Sequence, residues 1–112
     1  MDETIYSESE VGKRLDKIRK KEARCLVFKG RKIPLVVRIT IGRDKNNLLV
    51  IDDKMTSRFH SVIQKIKSVY YVKDLDSRNG TFVNGVRVPK GKYVKLNPTD
   101  VLCIGRTEIA IT

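Results

Sequence analysis

The sequence has no tryptophan, one histidine, two cysteines and three prolines among its 112 residues. Cys25, Cys103 and His60 are too few soft ligands for a tetrahedral metal site, so we expect neither a metal nor another cofactor. Both cysteines sit in apolar stretches, which favours two buried, reduced thiols; a disulfide would require their strands to be neighbours. No apolar run approaches the ~18 residues of a membrane span. The acidic start at residues 1–4 is unlike a secretory signal, so we expect a cytoplasmic chain without a membrane partner.

Acidic side chains are also scarce relative to basic ones. The chain has 13 Asp and Glu and 24 Lys and Arg, so its formal net charge is +11. Such a charge attracts polyanions and phosphorylated or acidic proteins, and it predicts non-specific contact with nucleic acid. Charge alone does not choose among these partners, so local motifs have to. A chain of this length is expected to form one domain, because smaller pieces would bury too little apolar surface.

From Arg24 onward, short apolar and β-branched runs alternate with turn residues. Ten strands are predicted, at 25–28, 33–41, 48–51, 60–66, 69–72, 82–83, 86–88, 93–96, 101–104 and 108–111. Pro34 falls near the start of its strand, where proline is tolerated. Asn84-Gly85 between two strands is a strong signal for a tight hairpin. The pattern is typical of an antiparallel β-sandwich or barrel.

Residues 1–23 differ from the rest and are predicted to form a separate arm, with residues 24–112 as the domain. Ser7 and Glu10 have the spacing of a helix capping box, and Val11, Leu15 and Ile18 follow at helical spacing. This predicts a short amphipathic helix over 8–22. A partly disordered arm is an equal alternative, since short isolated helices are marginal in water.

Three predicted loops contain more charged and hydrogen-bonding side chains than a turn requires. They are residues 42–47, residues 54–60 and residues 74–81. Together they hold arginines, hydroxyls and an asparagine, which are the groups that bind a tetrahedral oxyanion and an extended peptide backbone. Asp74, Asp76 and Ser77 have the oxygen ligands of a calcium loop, but the distal Glu of such a loop is absent.

The order and spacing of these residues resemble the forkhead-associated (FHA) domain. The resemblance rests on Gly42-Arg43, Ser57-Arg58-x-His60, Asn79-Gly80-Thr81 and Val83-Asn84-Gly85, followed by Leu96, Asp100 and Gly105. It covers about residues 24–112. It implies an eleven-stranded β-sandwich whose loops at one end bind phosphothreonine in a partner protein, without catalysis, in phosphorylation-dependent signalling.

The resemblance also implies roles for single residues. Phosphopeptide binding would fall to Arg43, Ser57, Arg58, Arg78 and Asn79. Ser57 would donate to a phosphate oxygen, Arg43 would approach the phosphate or hold the loop that does, and Arg58 would supply charge to the phosphate or bond the peptide backbone. Asn79 would hydrogen-bond the peptide main chain, and Arg78 would line the same loop. Loop-shaping roles would fall to Gly42, His60, Gly80, Thr81, Asn84 and Gly85. Lys54, Met55 and Arg78 are candidates to read the peptide position a few residues downstream, and the basic surface favours an acidic flank.

Two rival functions have less support in the sequence. Ser57 and His60 are close in sequence, but no third orienting group, nucleophile elbow or P-loop accompanies them, so no catalytic residue is assigned. No nucleic-acid-binding motif occurs, and Tyr70, Tyr71 and Phe82 lie in predicted strands, where core positions are more usual.

Thr4 lies in an acidic stretch that a kinase could phosphorylate. Phosphorylated Thr4 could then occupy the recognition loops of its own chain or of a second copy. An ordinary solubilising terminus is the simpler interpretation.

Overall fold

The computed structural model describes residues 24–112; the predicted arm, with its helix over 8–22 and Thr4, lies outside the described residues. Eleven strands form two sheets. They are β1 (Cys25–Phe28), β2 (Arg31–Pro34), β3 (Arg38–Gly42), β4 (Leu49–Val50), β5 (Ser61–Ile66), β6 (Val69–Asp74), β7 (Thr81–Val83), β8 (Val86–Arg87), β9 (Tyr93–Leu96), β10 (Val101–Ile104) and β11 (Thr107–Ile111). The predicted eleven-stranded β-sandwich is confirmed. Within the described part of the chain, no helix is long and apolar enough to cross a membrane.

One sheet has six strands in the order β2-β1-β11-β10-β7-β8, and the other has five in the order β4-β3-β5-β6-β9. Neighbouring strands run antiparallel, with one exception. β3 and β4 are parallel, with Ile41 opposite Leu49 and Gly42 opposite Val50. The predicted antiparallel sandwich therefore includes one parallel pair at this edge, where the chain after β3 returns to run alongside it.

Alternate residues of the strands point into a single apolar core between the sheets, as β-strand geometry requires. Ile39 pairs with Ile63 and Ile63 with Val72, so three neighbouring strands supply one buried row. The buried cluster comprises Leu26, Phe28, Leu35, Ile39, Ile41, Leu49, Ile51, Ile63, Tyr70, Val72, Val88, Leu96, Leu102, Ile104, Ile109 and Ile111. This core holds both sheets as one rigid support for the loops at their ends.

The single strand predicted over 33–41 is wrong, because β2 and β3 belong to different sheets. Pro34 ends β2 rather than lying near its start, and the chain then crosses between sheets. The Leu35 amide donates to the Arg24 carbonyl at 2.9 Å, and the Val37 carbonyl accepts from the Lys65 amide at 2.8 Å. Leu35 is buried while Val36 and Val37 are exposed, so β-branched residues serve here as a crossing segment.

The two cysteines lie in the same sheet, on β1 and β10, with β11 between them. Two strand spacings amount to about 9.6 Å, beyond the ~7 Å Cα separation that a disulfide tolerates. The disulfide left open by the sequence is therefore excluded, and both thiols are free. Burial, followed by the nearby Glu108 and Asp53 carboxylates, raises the pKa of the Cys103 thiol, which keeps it protonated and unreactive.

The predicted Asn84-Gly85 hairpin is confirmed. β7 and β8 pair through Val83 and Val86, and Asn84 and Gly85 have φ of 51° and 82°, as a type I′ turn requires. The Asn84 side chain accepts from the Val101 amide and donates to Asp100, each at 2.9 Å. Asn84 thus ties this hairpin to the loop before β10.

Candidate functional site

The topology brings the three chemically rich loops to one end of the sandwich. The loop after β3, the loop before β5 and the loop between β6 and β7 border a groove of ≈ 270 Å³. Its walls are Arg43, Lys54, Met55, Thr56, Ser57, Arg58, Arg78 and Asn79. All five residues predicted to bind the phosphopeptide are in this set, together with both further candidates for reading the downstream position. Residues up to 36 positions apart therefore share one surface.

Two hydrogen bonds beside the groove join the loop before β5 to the loop between β6 and β7. The Arg78 amide donates to Ser57 Oγ at 3.0 Å, and Asn79 Nδ2 donates to the Met55 carbonyl at 2.8 Å. Because Ser57 Oγ accepts from an amide, its own proton remains available to a ligand. Asn79 keeps a carbonyl oxygen and one N–H for the same purpose. The bonds that hold the loops together thus orient both side chains for binding.

Arg43 is anchored at its inner end and open at its outer end. Its Nε donates to the Thr56 carbonyl at 3.1 Å, and its amide donates to the Ser57 carbonyl at 3.0 Å. The two terminal nitrogens of the guanidinium are left to donate to an oxyanion. A fixed guanidinium is a better anion ligand than a freely rotating one, because less side-chain entropy is lost on binding.

A close backbone approach positions Arg58. A Cβ placed on Gly42 would lie 2.1 Å from the Arg58 carbonyl oxygen, so no larger residue fits there. The same carbonyl accepts from Asn47 Nδ2 at 2.7 Å and from the Asp44 amide at 3.1 Å. Asn47 is buried and also donates to the Asp44 carbonyl. The sequence did not single out Asn47; its only signal was its place in the polar loop after Gly42-Arg43.

His60 is fully buried behind the loops and does not line the groove. Its Nδ1 accepts from the Ser57 amide at 3.1 Å, and its Nε2 lies 2.8 Å from the Gly80 carbonyl. This pattern selects the neutral imidazole with its proton on Nε2. His60 therefore links two of the loops and has no path to a substrate as a base.

A buried carboxylate shapes the loop between β6 and β7. Asp74 accepts from the amide and the hydroxyl of Ser77 and from the Thr81 hydroxyl. Ser77 Oγ accepts from the Gly80 amide, and Ser61 Oγ donates to Thr81 Oγ1 at 2.6 Å. Thr81 thus shapes the loop through its hydroxyl from the first position of β7. Sequence reasoning missed the supporting roles of Asp74 and Ser77, although a hydroxyl three residues after an Asp signals such a turn.

The Asp74 network makes stability depend on pH. Burial raises the pKa of Asp74, but the hydrogen bonds from Ser77 and Thr81 outweigh it and hold that pKa below its ordinary value. Asp74 therefore contributes stability that is full above the unfolded-state pKa of about 3.9 and is lost as pH falls below it. We expect Asp74→Asn to lower the free energy of unfolding by about 2 kcal/mol at pH 7, because an amide nitrogen replaces one of the accepting oxygens.

Urea unfolding of both proteins at several pH values measures this effect. The difference between wild type and Asp74→Asn should shrink as pH falls from about 4 toward 2. The matched control is Asp76→Asn, because Asp76 is exposed and pairs only with the exposed Lys90; its effect should stay within about 1 kcal/mol. A difference that does not change with pH would contradict the assigned role of Asp74.

The remaining loop-shaping residues lie away from the groove walls. Gly80 has φ of 90°, and a Cβ there would lie 2.7 Å from Arg87 Nε, so a side chain would be strained and crowded. Asn84 and Gly85 occupy the hairpin at the opposite end of β7 and cannot contact a ligand in the groove. Their contribution is confined to the fold.

The groove is strongly cationic. Arg43, Lys54, Arg58 and Arg78 line it, and no carboxylate does. Among the described residues, the one ion pair is Lys90 with Asp76, so these four cations are not neutralised by carboxylates of residues 24–112. A groove with this charge, one free hydroxyl and one free amide suits a doubly charged oxyanion attached to an extended chain.

Comparison with known proteins identifies relatives of this arrangement. A family model of the FHA domain matches residues 39–105. Pre-mRNA leakage protein 1 from Saccharomyces cerevisiae is 36% identical over 73 residues, which are 58% of this chain and 36% of that protein. The chain spans less than half the length of the curated relatives it matches.

Solved structures agree in fold. One comes from a structural and functional analysis of phosphothreonine-dependent FHA domain interactions; it has a TM-score of 0.72 and 30% identity, covering 80% of this chain and 94% of that one. The MEK1 FHA domain in complex with a HOP1 phosphothreonine peptide has a TM-score of 0.71 and 27% identity, covering 80% and 95%.

Proposed function

This chain belongs to the FHA domain family, and we propose that it binds phosphothreonine in a partner protein and so mediates phosphorylation-dependent protein–protein interaction in signalling. The observation that carries this function is the groove itself. Its oriented Ser57 hydroxyl, anchored Arg43 guanidinium and Asn79 amide lie within one cationic surface. We propose that residues 24–112 are the binding domain and that residues 1–23 are an arm appended to it.

The free groups of the groove match the needs of a phosphorylated peptide. Arg43 and Ser57 donate to the phosphate oxygens, and Arg58 adds charge to the phosphate or bonds the peptide backbone. Asn79 bonds the peptide main chain beside the phosphorylated residue, and Arg78 lines the same loop. The roles of Arg43, Ser57 and Asn79 are supported by the hydrogen bonds that orient these side chains, and those of Arg58 and Arg78 by their place in the groove walls.

Phosphate recognition supplies most of the selectivity. A phosphate carries about −1.5 to −2 charges near neutral pH. Charge-assisted hydrogen bonds contribute about 1.5–3 kcal/mol each, so two of them favour the phosphorylated peptide by about 3–6 kcal/mol. Catalysis is not part of the proposed function, because His60 is buried behind the loops and does not line the groove.

Groove residues that do not contact the phosphate would determine the preference for peptide residues beside the phosphothreonine. Lys54, Met55 and Arg78 lie beside the proposed phosphate position, and two of the three are cationic. We propose that they favour an acidic residue a few positions downstream of the phosphothreonine. Exposed charges of this kind contribute modestly and are screened by salt.

A peptide panel measured by calorimetry tests the function. Three peptides of one sequence carry phosphothreonine, phosphoserine or threonine at the same position, with acidic residues downstream. The phosphothreonine peptide should bind at least about 100-fold more tightly than the threonine peptide, in line with two lost charge-assisted bonds. The phosphoserine peptide should bind about 4-fold more weakly, the value of one methyl group. Equal binding of the phosphorylated and unphosphorylated peptides would contradict the proposal.

A further inference from the structure

The outer face of the five-stranded sheet carries a second cationic surface, whose residues are not among the walls of the groove. Alternate residues of each strand point outward, so the strand register places these side chains in rows across the sheet. One row is Arg38, Gln64, Tyr71 and Lys95. The next row is Thr40, Val62, Lys73 and Tyr93. Among the described residues of this sheet, no outward position in these rows is acidic.

Aromatic and cationic side chains alternate on the last two strands of this sheet. Tyr71 on β6 lies opposite Lys95 on β9, and Lys73 on β6 lies opposite Tyr93 on β9. The tyrosine rings meet edge to face, with centroids 6.3 Å apart, and the Lys73 ammonium lies 5.1 Å from the centre of the Tyr93 ring. The side chain of Tyr93, on the last strand of this sheet, is 44% exposed. Two rings and two ammonium groups therefore alternate across β6 and β9 at the edge of this sheet.

The other sheet provides an internal comparison. On its outer face the register gives one row of Lys32, Val27, Ala110 and Val101, and a second row of Glu108, Cys103, Phe82 and Arg87. These two rows hold one aromatic ring, two cations and one carboxylate, so the alternation of two rings with two ammonium groups is particular to the five-stranded sheet. The excess of positive charge lies in the domain. Residues 1–23 hold six basic and six acidic side chains, so the net charge of +11 comes from residues 24–112.

We propose that this face, defined by Arg38, Tyr71, Lys73, Tyr93 and Lys95, binds single-stranded nucleic acid. Exposed aromatic rings stack on bases of any sequence, and neighbouring cations follow the phosphates. A carboxylate-rich protein segment would pair with the cations but has no planar bases to stack on the rings. The occupant that uses both kinds of side chain is a single strand, and the open β9 edge lets it run across the sheet. This site lies outside the phosphopeptide groove and does not depend on it.

Fluorescence anisotropy with a labelled oligodeoxythymidylate of about twelve nucleotides tests the proposal. The first variant is Lys73→Gln/Lys95→Gln, and its matched control is Lys29→Gln/Lys32→Gln, which removes the same charge from the β1–β2 turn and strand β2 of the other sheet. We expect about tenfold weaker binding for the first and less than about twofold for the control. The plot of log K against log salt should also become shallower by about 1.4 for the first variant, since each lost phosphate contact contributes about 0.7.

A second variant examines the rings. Tyr93→Leu keeps an apolar side chain but removes the stacking surface, and we expect about tenfold weaker oligonucleotide binding with unchanged binding of polyglutamate. All variants should retain the wild-type melting transition and phosphopeptide affinity. Equal losses from both lysine pairs would overturn the proposal in favour of diffuse charge. No loss with Tyr93→Leu, or polyglutamate binding that falls with Lys73→Gln/Lys95→Gln as the oligonucleotide does, would overturn it in favour of an acidic protein partner.

Discussion

Arg43→Ala combined with Ser57→Ala is expected to weaken phosphothreonine-peptide binding by at least about 100-fold while the chain stays folded. The pair supplies the anchored guanidinium and the oriented hydroxyl of the groove. Two charge-assisted hydrogen bonds at about 1.5–3 kcal/mol each account for a loss of this size. Calorimetry with the phosphorylated peptide measures it, and the residual affinity should approach that of the unphosphorylated peptide.

A control with the same chemical change separates this effect from a general loss of charge. Arg31→Ala/Ser68→Ala also removes one guanidinium and one hydroxyl, but from the exposed β2 strand and the β5–β6 turn. Its phosphopeptide affinity should stay within about twofold of wild type, because exposed charges outside the groove are screened. Full phosphopeptide binding by the folded Arg43→Ala/Ser57→Ala protein would show that the phosphate binds elsewhere.

Gly42→Ala adds a single methyl group and is expected to lower both the stability of the chain and its phosphopeptide affinity. The added Cβ would lie 2.1 Å from the Arg58 carbonyl oxygen and 2.8 Å from Asn47 Nδ2, so the loops must separate. Overpacking and the loss of the Asn47 hydrogen bond together should lower the free energy of unfolding by about 2–4 kcal/mol. Phosphopeptide affinity should fall as well, since the displaced backbone carries Arg58 and the neighbouring Ser57.

Gly91→Ala is the matched control for that substitution. Gly91 lies in a turn with φ of 74°, and nothing stands within 4 Å of an added Cβ. Only backbone strain of about 1 kcal/mol is expected there, with unchanged phosphopeptide affinity. Urea unfolding and calorimetry on the two variants give the comparison. Gly42→Ala protein with wild-type stability and affinity would mean that this backbone approach does not position the site.

Much of the fold follows from local sequence because local chemistry determines it. The Asn84-Gly85 turn needs two positive φ angles, and these residue types adopt them readily. These two residues are therefore enough to predict the hairpin. Strands β5, β6 and β9 to β11 follow the predicted runs within a residue or two. The loops of the groove were recognisable because arginine, serine and asparagine occur together in a specific order. Any one of them alone would have been an ordinary surface residue.

Features set by tertiary geometry were not readable in this way. The crossing at Leu35–Val37 has strand-like composition, and only the placement of β2 and β3 in different sheets shows that it leaves both. Asn47 supports Arg58 from eleven positions away, which a turn-rich sequence does not reveal. Tyr70 and Tyr71 are adjacent, yet one is buried and the other points outward, because the parity of the strand decides the face.

Amide chemical shifts of the isotope-labelled chain test the central claim most directly, because they report where a phosphothreonine peptide binds. Titration with that peptide should move the signals of Arg43, Ser57, Arg58, Arg78 and Asn79 and leave the Asn84-Gly85 hairpin unchanged, and its unphosphorylated twin should move none of them. Shifts centred on another surface, or the same shifts with both peptides, would contradict the account.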